Sequence, residues 1–301
     1  MKRMPLLILT LVLLSLCACG KKEETAADVP QAVSGGSGEE VHKAEDSRDS
    51  AWAAKLAPAP KENGVLRRET KYGSDGSVLS WIDYSCNADG RVIKSTPHEA
   101  DGSSAEGDVV STFEYTNGYL TAKTDYDALS GRILYRYKYD AAGNEIKWIL
   151  YGEDGSVSMW YEDTYDEHGN MVSHQLYRPG EEVKVMNLRE YDYDEHGHPT
   201  ECRYVNTKGT VLNRYTFRNV YDAAGRLIEC EQNDVGGSVL VDWYRYRYND
   251  AGQLIEQQLL DAGERCLIRT EYIYDGAGRL ARQQIYSSDG ALAVILENLW
   301  E

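Results

Sequence analysis

The sequence predicts an all-β protein, an antiparallel meander of about eight YD-type β-hairpin repeats that forms a curled open sheet or trough behind a disordered N-terminal tether. Three observations carry this. A Tyr-headed, Gly-closed turn phrase recurs in register. Runs of strand length, rich in Tyr, Val, Ile, Leu and Trp, separate the turns. The chain also spends 23 Tyr against only 2 Phe, which suits half-exposed strands, because Tyr joins high strand propensity to a polar tip.

The first element is an export signal. Lys2 and Arg3 precede an apolar run from Leu6 to Cys17, the length of a signal-peptide h-region and too short to span a bilayer as a stable helix. The run ends in Leu16-Cys17-Ala18-Cys19, which resembles the lipobox of bacterial lipoproteins. That resemblance implies cleavage after residue 18 and a diacylglyceryl (palmitate-type) anchor on Cys19. It places the protein on the cell membrane or outer membrane, facing the extracytoplasmic side. Several acyl chains on one cysteine anchor more firmly than a single myristoyl group.

Residues 19–60 form the second element, rich in Lys, Glu, Ala, Ser, Gly and Pro, with GGSG at Gly35 to Gly38 and Pro58-Ala59-Pro60. This composition predicts a flexible linker, with one short helix around Asp49 to Leu56. As an ideal coil it would span roughly 35 Å. Losing Lys2 and Arg3 with the signal takes the formal charge from −17 to −19. So acidic a body excludes nucleic acid as the main partner, because a phosphate backbone needs clustered cations.

The third element, residues 61–301, repeats. The phrase starts at Tyr139, Tyr165, Tyr193, Tyr221, Tyr248 and Tyr274 and closes on Gly143, Gly169, Gly197, Gly225, Gly252 and Gly278, at spacings of 26, 28, 28, 27 and 26 residues. Tyr84 and Tyr115 begin degenerate copies. A second turn stands near the middle of each copy, as in GEDG before Ser156 and SDG before Ala291. Each unit is therefore a turn, a strand, a turn and a return strand. Two and four residues before each Tyr stand Tyr137/Tyr135, Asp163/Tyr161, Tyr191/Arg189, Asn219/Phe217, Tyr246/Tyr244 and Tyr272/Thr270. Three before it stand Arg136, Glu162, Glu190, Arg218, Arg245 and Glu271. Side chains two apart share a face, so one face carries a Tyr-rich ladder and the other mixed charge. The charged face excludes a lipid-facing barrel.

YDAAGRLI at Tyr221 and YDGAGRLA at Tyr274 resemble the YD repeats of Rhs and teneurin proteins. The resemblance covers roughly residues 64–301 and implies hairpins that spiral into a shell. The sequence departs from the large members in lacking a DPxGL core-terminating segment and a following toxin domain.

Chemistry-bearing motifs are sparse. Cys86, Cys202, Cys230 and Cys266 are expected as free thiols, because Cys202 and Cys230 hold the same repeat position two strands apart, beyond the roughly 7 Å Cα limit for a bridge. His168, His196 and His198 lie among Asp166, Glu167, Asp194 and Glu195. The sister turns at Tyr139 and Tyr221 lack such ligands, so these are read as solvated turns, with no metal and no cofactor. No GxSxG, HExxH, P-loop or GxGxxG stands on a strand-to-helix junction, and no catalytic residue is assigned. The function expected is a non-enzymatic envelope lipoprotein, a scaffold or binding module for a glycan, wall polymer or protein. Most tyrosines are expected inside the curl, with the exposed binding share at Tyr151, Trp160, Tyr177, Trp243 and Tyr286. The alternative is a polymorphic-toxin accessory or decayed Rhs shell enclosing a partner polypeptide. The strand ALAVILENLW, Ala291 to Trp300, is either covered or a docking edge.

Overall fold

The computed structural model describes residues 64–180, 184–234 and 239–301. The signal segment, Cys19, the linker and the short helix expected near Asp49 lie outside the described residues. Among the described residues the repeat region is a single sheet of 18 strands: β1 (Leu66–Gly73), β2 (Val78–Cys86), β3 (Val92–Glu99), β4 (Val109–Thr116), β5 (Tyr119–Asp127), β6 (Ile133–Tyr139), β7 (Glu145–Tyr151), β8 (Val157–Tyr165), β9 (Met171–Arg178), β10 (Lys184–Tyr193), β11 (Pro199–Val205), β12 (Val211–Tyr221), β13 (Leu227–Asp234), β14 (Val239–Tyr248), β15 (Leu254–Leu260), β16 (Cys266–Tyr274), β17 (Leu280–Tyr286) and β18 (Leu292–Trp300).

The turns explain the hairpins. At Tyr139 the Asp140 carboxylate accepts the backbone N–H groups of Ala142 and Asn144, both at 2.9 Å. The Asp140 N–H donates to the Asn144 carbonyl, and the Gly143 N–H to the Asp140 carbonyl. Gly143 takes φ 89°, a left-handed angle that Gly adopts without steric cost. Asp166, Asp194, Asp222 and Asp275 make the same pair of side-chain bonds. The tyrosine in front then ties each hairpin to the one before. Tyr165, Tyr193, Tyr248 and Tyr274 donate their hydroxyls to the carbonyls of Glu145, Met171, Leu227 and Leu254, at 2.5–2.9 Å. These acceptors stand two residues after the preceding repeat's glycine, so the motif is a rung between repeats as well as a turn.

Every strand pairs antiparallel with its sequence neighbours, and β1 also pairs with β18, from Leu66 opposite Trp300 to Gly73 opposite Val294. The sheet is therefore a closed barrel, not the curled open sheet or trough that the sequence predicts, and it holds nine hairpins rather than eight. Two physical causes account for the difference. The register slips beside the repeat tyrosine in β6, β8, β10, β12, β14 and β16, and again at the far end of pairs such as Leu150/Tyr151 and Ile285/Tyr286. Bulges of this kind bend and twist a sheet. Closing it then removes two unpaired edges, so the apolar strand Leu292–Trp300 is covered on both sides.

Closure gives the two faces distinct roles. Trp148, Tyr161, Leu176, Cys202, Cys230 and Tyr246 are buried and alternate with half-exposed charges, which places the Tyr-rich ladder on the inner wall. The outer wall carries ion pairs: Arg68 with Asp83, Lys147 with Glu162, Arg203 with Glu190 and Asp192, Arg218 with Glu229 and Glu231, Arg245 with Glu229, and Arg282 with Glu297.

A longer period is laid over the hairpins. Tyr72 to Trp81 reads YGSDGSVLSW and Tyr151 to Trp160 reads YGEDGSVSMW, six strands further on. Trp81 in β2, Trp160 in β8 and Trp243 in β14 occupy the same register on the outer wall, each two residues before a charge that faces an opposite charge on the preceding strand. Six strands thus form a module, and three modules close the barrel.

Candidate functional site

The five residues singled out for binding all lie in the half of the barrel away from the YD turns. Trp160 and Tyr177 meet across β8 (Val157–Tyr165) and β9 (Met171–Arg178), with rings 5.2 Å apart and 6° from parallel. Lys147 lies over the Trp160 ring at 5.2 Å and pairs with Glu162 at 2.7 Å. The Trp160 indole N–H donates to Glu162 at 3.2 Å, and the Tyr177 hydroxyl to Gln175 at 2.7 Å. Burial, then the Glu162 carboxylate, raise the Tyr177 phenol above its ordinary range.

The first module repeats this arrangement. Trp81 stacks on His98 at 5.2 Å beneath Arg68, and its indole N–H donates to Asp83. Burial would raise the Asp83 carboxyl, but hydrogen bonds from Arg68 and Trp81 outweigh it and hold the group below its ordinary range. The third module departs. Arg245 replaces the carboxylate, and the acid moves to Glu229 on the preceding strand. Arg245 covers the Trp243 ring at 4.7 Å. Trp243 is buried and its indole N–H lacks an acceptor, which the transposed charge pair explains.

Tyr151 and Tyr286 are half-buried at strand ends. Arg269 sits 4.0 Å over the Tyr286 ring, whose hydroxyl reaches Glu271. None of the five is fully exposed, and Trp160, Trp243 and Tyr286 each have a ring face covered by a cation.

Beside the Trp160–Tyr177 stack the outer wall holds a groove of about 480 Å³, lined by Gln175, Leu188, Glu190, Val205, Asn206, Thr207, Gly209 and Val211. The sequence did not reveal it, since its walls come from β9, β10, β11 and the turn into β12.

The inner wall holds a second constellation. Asp163, His174 and Arg189 stand opposite one another on β8, β9 and β10, all nine-tenths or more buried. His174 Nδ1 lies 2.5 Å from Asp163 and the ring stacks on Tyr161 at 4.2 Å. Arg189 lies over Tyr204 at 4.7 Å. On β5, Lys123 bonds Asp125 at 2.9 Å, and Asp125 also accepts from the Ser111 hydroxyl. Asp163 and Arg189 stand out in the sequence as charges at ladder positions that other copies fill with Tyr, Phe, Asn or Thr. His174 lies on the return strand, outside that ladder. The constellation sets carboxylates, an imidazole and cations against one another, with Asp163 on His174 and Asp125 on Lys123.

The four cysteines are free, with Cys202 and Cys230 buried. Burial pushes the Cys230 thiol up to about 12, which keeps it protonated and unreactive. His196 and His198 pack against Tyr221, whose hydroxyl also bonds Asp194, while His168 is exposed beside Glu167. Among the described residues no three His, Cys, Asp or Glu side chains gather as a metal site.

A family described only as an uncharacterised protein matches residues 154–298, just under half the chain. No curated protein matches. Solved structures that resemble the chain include a porin-like protein from Bacteroides uniformis, at 12% identity and TM-score 0.40, with 81% of this chain and 100% of that one covered. A second porin-like protein, from Bacteroides vulgatus, matches at 12% identity and TM-score 0.31, covering 79% and 99%. The TcdB2-TccC3 structure matches at 14% identity and TM-score 0.25, covering 75% of this chain and 17% of that one. Identities and scores this low carry no inference about activity, substrate or location.

Proposed function

We propose that the protein is a non-enzymatic cell-envelope lipoprotein, anchored through acylated Cys19, whose barrel of YD-type hairpins stands in water on the 19–60 linker and binds an envelope glycan, wall polymer or protein. The observation that carries this reading is the ion-paired outer wall. Arg203, Arg218, Arg245 and Arg269 stand on the side that a membrane-spanning barrel turns to lipid, where an Arg at the bilayer midplane costs about 2–4 kcal/mol. Membrane attachment then falls to the lipobox. Metabolic labelling with an alkyne palmitate analogue tests it. The wild type incorporates label and sediments with membranes, whereas Cys19→Ala loses both. A Cys19→Ala protein that stays in the membrane fraction would overturn the anchor.

Closure supports the second reading, a shell that encloses a polypeptide, since a closed wall separates an inside from an outside. Co-purification of one peptide with the folded barrel, lost on denaturation, would favour it over outer-wall binding.

A further inference from the structure

We infer that the outer-wall groove between β9 and the β11–β12 turn is a binding subsite for a neutral saccharide. This rests on the glycan form of the proposed function and narrows it to one place and one ligand class. The groove's volume, about 480 Å³, falls within the roughly 300–1,000 Å³ range of small-molecule sites. Its lining pairs an apolar strip, Leu188, Val205 and Val211, with the polar side chains Gln175, Asn206 and Glu190. A pyranose presents the complementary chemistry, an apolar C–H face ringed by hydroxyls.

The two amides are already oriented by the fold. Gln175 accepts the Tyr177 hydroxyl on its carbonyl oxygen, at 2.7 Å. Asn206 accepts the Lys208 and Thr210 backbone N–H groups on Oδ1, at 2.9 and 3.0 Å. In each case the acceptor end is fixed, and among the described residues the NH₂ end is left to donate. Ligand affinity gains when side chains are held in place before binding. Glu190 supplies an acceptor whose charge is offset by Arg203, 3.4 Å away.

The same lining disfavours other ligands. Among the described residues no cation lines the groove, so a phosphate-bearing polymer finds no counter-charge in them. β9 to β12 are paired on both sides, so an extended peptide finds no free strand edge to add to.

The test uses the full-length protein and three neutral trisaccharides, maltotriose, cellotriose and triacetylchitotriose, with binding read by saturation-transfer NMR and titration calorimetry. Gln175→Glu and Asn206→Asp keep the acceptor oxygens and remove the donors. Asp stands at the same turn position in sister hairpins such as Asp194 and Asp222, so N206D is compatible with the fold. Val211→Arg fills the groove from a position 43% exposed, and Ile273→Arg adds the same charge to an exposed outer-wall position elsewhere. Expected are binding of at least one trisaccharide, a loss of about tenfold in Q175E and N206D, abolition in V211R, and no change in I273R. Binding that V211R leaves intact overturns the groove while glycan recognition stands. Failure of all three sugars to bind the wild type at millimolar concentration overturns the neutral-saccharide assignment and leaves the lipid anchor, tested through Cys19, untouched.

Discussion

Strands β5–β10 and β11–β18 line the barrel in two different ways. From β11 onward the repeat keeps its own rule, with charges paired on the outer wall and Cys202, Cys230, Tyr246, Gln283 and Leu296 buried within. From β5 to β10 the rule is broken, and Lys123, Asp125, Asp163, His174 and Arg189 take buried inner positions. A buried ion pair loses to desolvation much of what attraction returns, and losing one partner strands the other. The first region should therefore be brittle to single polar substitutions and the second tolerant of them.

The largest effect expected is on the Asp163–His174 contact. Asp163→Ala or His174→Ala should cost about 3–5 kcal/mol, because each leaves a buried charged or polar partner behind. Gln283→Ala, neutral and in β17, should cost about 1–3 kcal/mol. Urea midpoints at constant slope measure both. Equal losses at the two positions would erase the contrast between the regions.

Next in size is a comparison of the tryptophans. Trp160→Phe removes an indole donor that Glu162 uses, and Trp81→Phe one that Asp83 uses. Trp243→Phe removes a donor with no acceptor. The first two should lose about 1–2 kcal/mol more than the third. Equal losses would mean that the transposed Arg245–Glu229 pair has no bearing on the indole.

The smallest effect lies in the turns. Backbone N–H groups hold the Asp166, Asp222 and Asp275 carboxylates below their ordinary range, aided at Asp222 and Asp275 by Arg226 and Arg279. A depressed carboxylate contributes stability above its unfolded pKa, near 4, and that contribution disappears as pH falls through the lower folded value. Asn87, Asn206 and Asn249 hold the corresponding turns without titrating. Replacing the three Asp by Asn should therefore flatten the acid limb of a stability-versus-pH curve and leave its neutral plateau nearly unchanged.

Much of this was legible in the sequence. The YD spacing located the turns, and the alternation before each tyrosine separated a Tyr-rich ladder from a charged face. The ladder even exposed its own exceptions, Asp163 and Arg189. Closure was not legible, because it depends on bulges that bend each strand by a small amount and on a pairing between residues more than two hundred positions apart, Leu66 and Trp300. The near-identity of Tyr72–Trp81 with Tyr151–Trp160 was a readable sign of the six-strand module. The shorter hairpin period hides it. The groove beside Tyr177 lies beyond local reading, since four strands contribute its walls.

Closure is the claim on which inside, outside and both wall chemistries depend, and a cross-link tests it directly. Thr70 on β1 and Glu297 on β18 face each other across the seam, and Glu297 lies on the outer wall, paired with Arg282. With Cys at both positions, in a background lacking Cys86 and Cys266, a short bis-maleimide should join them within one chain in the folded protein, in high yield and independently of protein concentration. Double mono-adducts without an intramolecular link, or links formed only between chains, would contradict a closed barrel.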